Sequence, residues 1–121
     1  MIPLVLAAAL LPLGELPPQP LPKGSGCAVF LWTRSDPPLR IAMLSERTGR
    51  LKLVLGRREV ELPRLEEPDT YGNRTVRVTL DLSLDAATPL GAGAFVGGVM
   101  RVERAGEDEL ALAVGGLRAC V

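Results

Sequence analysis

The sequence predicts an all-β domain, a small antiparallel β-sandwich or small barrel of about seven strands. Three observations carry this. Aliphatic residues alternate with polar ones between Asn73 and Asp85. Turn signals recur along the chain at intervals of about 8–15 residues. Two cysteines, Cys27 and Cys120, stand at the two ends of the patterned region, so a disulfide is expected to join the first and last strands.

Ile2 to Leu13 reads IPLVLAAALLPL, twelve apolar positions without a charge. A membrane-spanning helix needs about 20 such residues, whereas the apolar centre of a secretory signal is shorter. Residues 1–14 are therefore read as a signal peptide, cut near Ala9 or Gly14. No Lys or Arg precedes the run, and Pro3 and Pro12 disfavour a long regular element of the mature fold. Leu16 to Lys23 reads LPPQPLPK, and six of the eleven prolines fall within the first 22 residues. Residues 15–26 are read as a tether of polyproline character. Gly24-Ser25-Gly26-Cys27 resembles a lipoprotein cleavage site only weakly. Gly24 stands where a large aliphatic belongs, and the apolar run ends well upstream.

The folded domain is then placed at 27–121. Cys27–Thr33 carries apolar residues on both faces, which places it centrally in a sheet. Ser35-Asp36-Pro37-Pro38 breaks the chain before a strand at Leu39–Ser45. Leu51–Leu55 and Arg58–Leu62 form a hairpin around Gly56-Arg57, with a glycine suited to a type II′ turn. This register sets Leu51 opposite Leu62 and Leu53 opposite Val60 on one face. It sets Lys52 opposite Glu61 and Val54 opposite Glu59 on the other.

Val76, Val78, Leu80, Leu82 and Leu84 form the buried face of the clearest strand. A last hairpin joins Val99–Arg104 to Leu110–Gly115. A tight turn would set Glu103 against Glu109, so the expected loop is Ala105–Glu109, with Val102 opposite Leu112 and Met100 opposite Val114. Glycines 91–98 lack the third glycine of a dinucleotide fingerprint, because Val96 stands there. They are read as sites of bulging or close backbone approach within a strand. The Cys…Trp…Cys spacing of immunoglobulin domains is not met, since Trp32 follows Cys27 by only five residues.

The composition excludes more chemistry than it suggests. The 121 residues hold 14 basic and 14 acidic side chains, so no basic field points to nucleic acid. Histidine is absent, which removes Ser-His-Asp and Cys-His arrangements and every His-ligated metal site. No phosphate-binding P-loop motif occurs, and no cofactor is expected. The acidic tip Glu107-Asp108-Glu109 points into water and reads as solubilising. Arg47, Arg50, Lys52, Arg57 and Arg58 make one hairpin locally basic, offset by Glu59 and Glu61.

Two groups are candidate contact sites. One is the polar segment Pro63–Arg74, in which Glu66, Glu67, Asp69, Tyr71 and Asn73 offer oxygens and an aromatic surface for a recognition loop. The other is the polar row Arg77, Thr79, Asp81 and Ser83 on an exposed sheet face. An open sheet edge that recruits a partner strand is a third route, on a strand the sequence does not identify. The reading is a non-catalytic, exported β module with a structural, accessory or protein-interaction role in a bacterial envelope. Its partner would be another envelope protein, and it would have no stable membrane insertion once the signal is removed. A binding domain for a small ligand or carbohydrate is the alternative. Without a functional signal at Ile2–Leu13 the location would be cytoplasmic.

Overall fold

The computed structural model describes residues 13–84 and 95–121. These form nine antiparallel strands in one curled sheet, a half-barrel, and contain no helix. The strands are β1 (Leu13–Gly14), β2 (Cys27–Thr33), β3 (Arg40–Ser45), β4 (Arg50–Leu55), β5 (Arg58–Pro63), β6 (Thr70–Gly72), β7 (Val76–Leu84), β8 (Phe95–Arg104) and β9 (Leu110–Cys120). The all-β expectation holds. The two facing sheets of a seven-stranded sandwich are not clearly present, because the strands follow one another round a single continuous curl.

The topology is a meander. β2 to β5 pair in succession, as do β6 to β9, and β9 pairs back onto β2. Between β5 and β6 the connection thins to one bridge, Arg64 opposite Tyr71, with Leu65 N–H donating to the Thr70 carbonyl at 2.8 Å. Thr33, Arg40, Leu55, Arg104 and Leu110 lie at one rim, here called upper. Cys27, Ser45, Arg50, Pro63 and Cys120 lie at the lower rim.

Period two decides the interior. Val29, Leu44, Leu51 and Leu62 make one cross-strand row, and Leu31, Ala42, Leu53 and Val60 the next. On the other side Leu80, Met100 and Leu112 line up, as do Leu82, Gly98 and Val114. Most of these side chains are fully buried. A bulge opposite Leu31 and Trp32 leaves Ile41 without a cross-strand partner, and Ile41 joins the core beside Ala42.

The β4–β5 hairpin has the predicted register at every pair, and Gly56 takes a left-handed φ of 64° as its turn requires. The β8–β9 hairpin does not. Val102 faces Leu110 and Met100 faces Leu112, two residues away from expectation. This continues toward the Glu103–Glu109 juxtaposition that had counted against it. The repulsion is relieved, because Glu103 faces Arg77 on β7 and Glu109 pairs with Arg101 at 3.4 Å. β6 is a further difference, a three-residue strand inside a segment expected to be loop. Of the glycine run, positions 91–94 lie outside the described residues; in β8 a Cβ on Gly98 would overlap the Asp81 carbonyl oxygen, so β7 and β8 approach closely there only because no side chain intervenes.

The domain also begins earlier than Cys27. Leu13 and Gly14 pair with Leu55 and Val54. Leu16 is fully buried, its N–H donates to the Arg40 carbonyl at 2.8 Å, and its own carbonyl accepts from Arg40 Nε at 3.3 Å. Lys52 Nζ donates to Gln19 at 3.1 Å and Arg47 to the Gly24 carbonyl at 2.7 Å. The proline-rich stretch is thus a strap held against β3, β4 and the turn between them. Its prolines cost nothing there, since a strap has no ladder to complete.

Cys27 and Cys120 form the expected disulfide, across 93 residues of chain. They occupy directly opposed positions on β2 and β9. The next pair out, Gly26 and Val121, exchanges both backbone hydrogen bonds, at 3.3 and 3.0 Å. Cys27 and Cys120 are therefore a non-hydrogen-bonded pair, the closer-spaced kind in an antiparallel ladder, and their Cα atoms lie 4.0 Å apart. In the chain-entropy view, closing a loop of this length stabilises the fold by about 4–5 kcal/mol. The double variant Cys27→Ser/Cys120→Ser is expected to lose up to that amount in urea unfolding. Its far-UV circular dichroism should stay unchanged at low denaturant, because the seven-pair β2–β9 ladder remains.

Candidate functional site

The strands that meet at the seam differ in length. β2 stops at Thr33, which faces Val114, while β9 starts at Leu110. The Arg34 backbone N–H donates to the Ala113 carbonyl at 3.4 Å, and Arg34 Nε to the Val114 carbonyl at 3.2 Å. Above that level the β2-facing edge of β9 is open. Alternate residues of a strand direct their backbone groups to the same edge. Ala111 therefore points its N–H and C=O where Ala113 does, and among the described residues neither group meets a backbone partner on that edge.

A groove of about 360 Å³ opens beside this edge at the upper rim. Leu13 forms part of one wall and Leu110, Ala111 and Leu112 another, with Ile41 and Leu39 also contributing. Leu39 is 42% exposed, one of two large aliphatic side chains among the described residues that stand out in water. The loop that carries it is pinned. Leu39 N–H donates to Thr33 Oγ1 at 2.9 Å, Thr33 N–H donates to the Leu39 carbonyl at 2.9 Å, and Ser35 Oγ donates to the Pro37 carbonyl at 2.9 Å. The groove is thus preformed, mainly apolar, and flanked by strand backbone with unused hydrogen-bonding groups. Its charged neighbours, Glu15 and Arg34, lie on its lining. The hydroxyls of Thr33 and Ser35 on its lining bond to each other at 2.6 Å, and among the described residues no group of three acidic or sulfur ligands converges on a metal position.

The two contact sites expected from sequence lie elsewhere. Tyr71 is not a contact surface: it is 1% exposed and packs in the core, with the Arg64 guanidinium 6.0 Å from its ring centre. The hydrophobic gain of burying an aromatic ring outweighs display on a polar loop. Asn73 caps its own turn, its Oδ1 accepting from the Thr75 backbone at 2.8 Å, the Thr75 hydroxyl at 2.9 Å and the Val76 backbone at 3.0 Å. Asp69 holds a left-handed φ of 53°, and its carbonyl accepts from Leu80 N–H at 2.9 Å. Glu66 and Glu67 are exposed, and Glu67 pairs with Arg77 at 3.2 Å. β6 runs through the segment, so Tyr71 turns into the core while Glu66, Glu67 and Asp69 stay at the surface.

Arg77, Thr79 and Asp81 do share the outer face of β7, opposite Glu103, Arg101 and Val99 of β8. Most of the charges here have opposite-sign neighbours, which marks a solvated face. Trp32 does not line the groove. It stands opposite Arg40, whose guanidinium lies 6.0 Å from its ring centre.

At the lower rim Arg118 grips Glu46 through two hydrogen bonds, Nε to Oε2 at 2.7 Å and Nη2 to Oε1 at 2.9 Å. The Glu46 N–H also donates to the Cys27 carbonyl at 3.0 Å, so the pair lies beside the disulfide. The Arg118 hydrogen bond, opposed by partial burial and aided by its charge, holds the Glu46 carboxyl below the usual carboxylate range. Compared with known protein families, curated proteins and solved structures, the chain matches none.

Two outcomes separate structural from contact roles. Tyr71→Ala is expected to cost about 3–5 kcal/mol in urea unfolding, as for other buried aromatics. Glu66→Ala and Glu67→Ala should each stay within about 0.5 kcal/mol of the parent. For Glu46, a lowered folded-state pKa means stability that is present above the unfolded value and lost as pH falls through the folded one. The Tm advantage of the parent over Glu46→Gln should be present at pH 7 and disappear progressively below about pH 4.5. A constant gap down to pH 2 would show that the carboxylate contributes nothing through its charge.

Proposed function

We propose that this chain is an exported, non-catalytic interaction module that captures an extended segment of another bacterial envelope protein in the upper-rim groove. The observation that carries this reading is the open β9 edge at Ala111 beside an apolar groove. An added strand would find backbone hydrogen bonds at Ala111, and its alternate side chains would pack on Leu13, Ile41 and Leu112. The groove comes ready-made, which lowers the ordering cost of binding.

Export is supported by the Cys27–Cys120 disulfide, a bond that persists in oxidising compartments. No helix among the described residues is long and apolar enough to cross a membrane. The groove volume also favours a second reading, a small apolar ligand, since ligand sites start at about 300 Å³. A carbohydrate suits the site less well, because the lining offers few convergent polar groups.

In-cell photo-crosslinking tests the proposal. A photoreactive residue at Leu39 should yield a discrete protein adduct, and one at Asp81 should not. Ala111→Pro deletes the edge N–H without touching the β8 ladder. It should reduce the Leu39 adduct at least tenfold while leaving Tm within a few degrees of the parent. Adducts formed from Asp81 alone, or a Leu39 adduct indifferent to Ala111→Pro, would overturn strand capture. A bound small molecule in the natively purified protein, released by Leu112→Asp, would favour the second reading.

A further inference from the structure

We infer that the notch between the proline strap and the β3–β4 turn, at the lower rim, binds a phosphate group through Arg47, Arg50 and the hydroxyls of Ser45 and Thr48. The site is separate from the upper-rim groove and independent of strand capture. In sequence the basic residues of this hairpin are offset by Glu59 and Glu61, but the structure divides the charges differently. Glu59 and Glu61 both contact Lys52, each at 3.5 Å. Glu46, next to Arg47 in sequence, is held by Arg118 through two hydrogen bonds. Arg47 and Arg50 are exposed, and among the described residues neither forms an ion pair.

The turn gathers donors at this point. Gly49 takes a left-handed φ of 69°, which reverses the chain and sets Ser45 opposite Arg50 in the β3–β4 ladder. The Ser45 hydroxyl oxygen accepts from the Thr48 backbone N–H at 3.4 Å, and the Thr48 hydroxyl oxygen accepts from the Arg50 backbone N–H at 3.3 Å. Among the described residues neither hydroxyl donates, so each keeps its one O–H proton for an outside acceptor. Arg47 Nη1 donates to the Gly24 carbonyl at 2.7 Å. That bond fixes the guanidinium against the strap, and its remaining N–H groups are uncommitted among the described residues. Two adjoining hollows of about 200 and 460 Å³ share Met43, Ser45 and Thr48 on their walls. Arg50 lines the first, and Arg47 lines the second together with Pro20 and Pro22 of the strap. Glu61 also reaches the first hollow, where Lys52 meets it at 3.5 Å.

This donor set suits a phosphate better than a carboxylate. A carboxylate presents two oxygens in one plane. A phosphate monoester presents three around a tetrahedron and carries about −1.5 to −2 charges near neutral pH. Guanidinium groups in two adjoining hollows, with hydroxyl protons on the wall they share, meet such a group from several directions. Both arginines stand in water, so the attraction weakens as salt rises. The same group is offered by free phosphate and by the headgroup of an anionic phospholipid.

Titration of the full, oxidised chain with sodium phosphate at constant ionic strength, followed by amide NMR, tests the site. The Thr48, Gly49 and Arg50 amides should shift saturably, with a Kd in the millimolar range. Arg50→Gln is expected to weaken phosphate binding about tenfold or more, the loss of a charge-assisted hydrogen bond. Thr48→Val removes a hydroxyl and no charge, and should weaken it about threefold or more. Arg57→Gln changes an equally exposed arginine at the far end of the β4–β5 hairpin and should leave the Kd unchanged. Cosedimentation with phosphatidylglycerol vesicles, against phosphatidylcholine, separates the two sources. Vesicle binding that is lost in Arg50→Gln and competed by phosphate assigns the headgroup. Saturable phosphate binding without vesicle binding assigns free phosphate. Equal losses from Arg50→Gln and Arg57→Gln would show bulk charge in place of a site and overturn the inference. Shifts that never saturate, with vesicle binding indifferent to Arg50→Gln, would overturn it as well, and either result leaves strand capture at the upper rim untouched.

Discussion

The pairing of β2 with β9 is the constraint on which the rest of the fold depends. Every other ladder with a named partner joins strands that are neighbours in sequence, apart from the short β1 on β4. Such local ladders need only short turns to close. The β2–β9 ladder brings together segments 93 residues apart, measured at its cysteines. Without it the meander would be an open ribbon with two unpaired edges in its middle, and Val29, Leu31 and Val114 would lose one side of their enclosure. Backbone bonds between Gly26 and Val121, the disulfide one pair inward, and the Arg118–Glu46 pair all act at the lower end of this one ladder.

Much of the fold was legible because it follows from alternation. β2 has the predicted limits, and Val76, Val78, Leu80 and Leu82 of β7 face the core as predicted. The β4–β5 register was set by two agreeing signals, an apolar row and the Lys52–Glu61 pair, which occur in the structure as 3.5 Å contacts from Lys52 to both Glu59 and Glu61. The β8–β9 register failed because only the charges within that hairpin were weighed. The residue that relieves Glu103 is Arg77, on a third strand, and no local rule sees a third strand. β6 was hidden for a similar reason. Tyr71 and Thr70 are buried by tertiary packing, whereas the residues around them carry the composition of a loop.

The candidate site was almost wholly illegible, and its geometry explains why. A groove lined by Leu13, Ile41 and Leu112 uses residues that a sequence reading assigns to a core or to a leader. Its hydrogen-bonding groups are backbone atoms of Ala111, which carry no sequence signal at all. Polar residues attract attention as candidate sites, yet here Asn73 serves its own turn and Arg77 pairs with Glu67. The strap shows the same effect in composition. Four prolines in LPPQPLPK suggest a free tether, but proline only forbids interior ladder positions, and Leu16 buries itself from a segment that needs no ladder.

The staple and the groove lie at opposite ends of the same two strands, and this links them physically. A sheet register admits no fractional adjustment: slipping β9 by one residue against β2 would turn its whole side-chain set to the opposite face. The disulfide holds that register at the lower rim, where Cys27 meets Cys120. Counting seven pairs upward ends β2 at Thr33 against Val114 and leaves Leu110 to Leu112 projecting beyond it. The free edge at Ala111 is therefore a consequence of strand-length mismatch measured from the staple, not of any feature at the upper rim itself. A bond that stabilises the fold by restricting the unfolded chain also keeps the groove wall from sliding, so the same covalent link serves the core and the surface where a partner strand would dock.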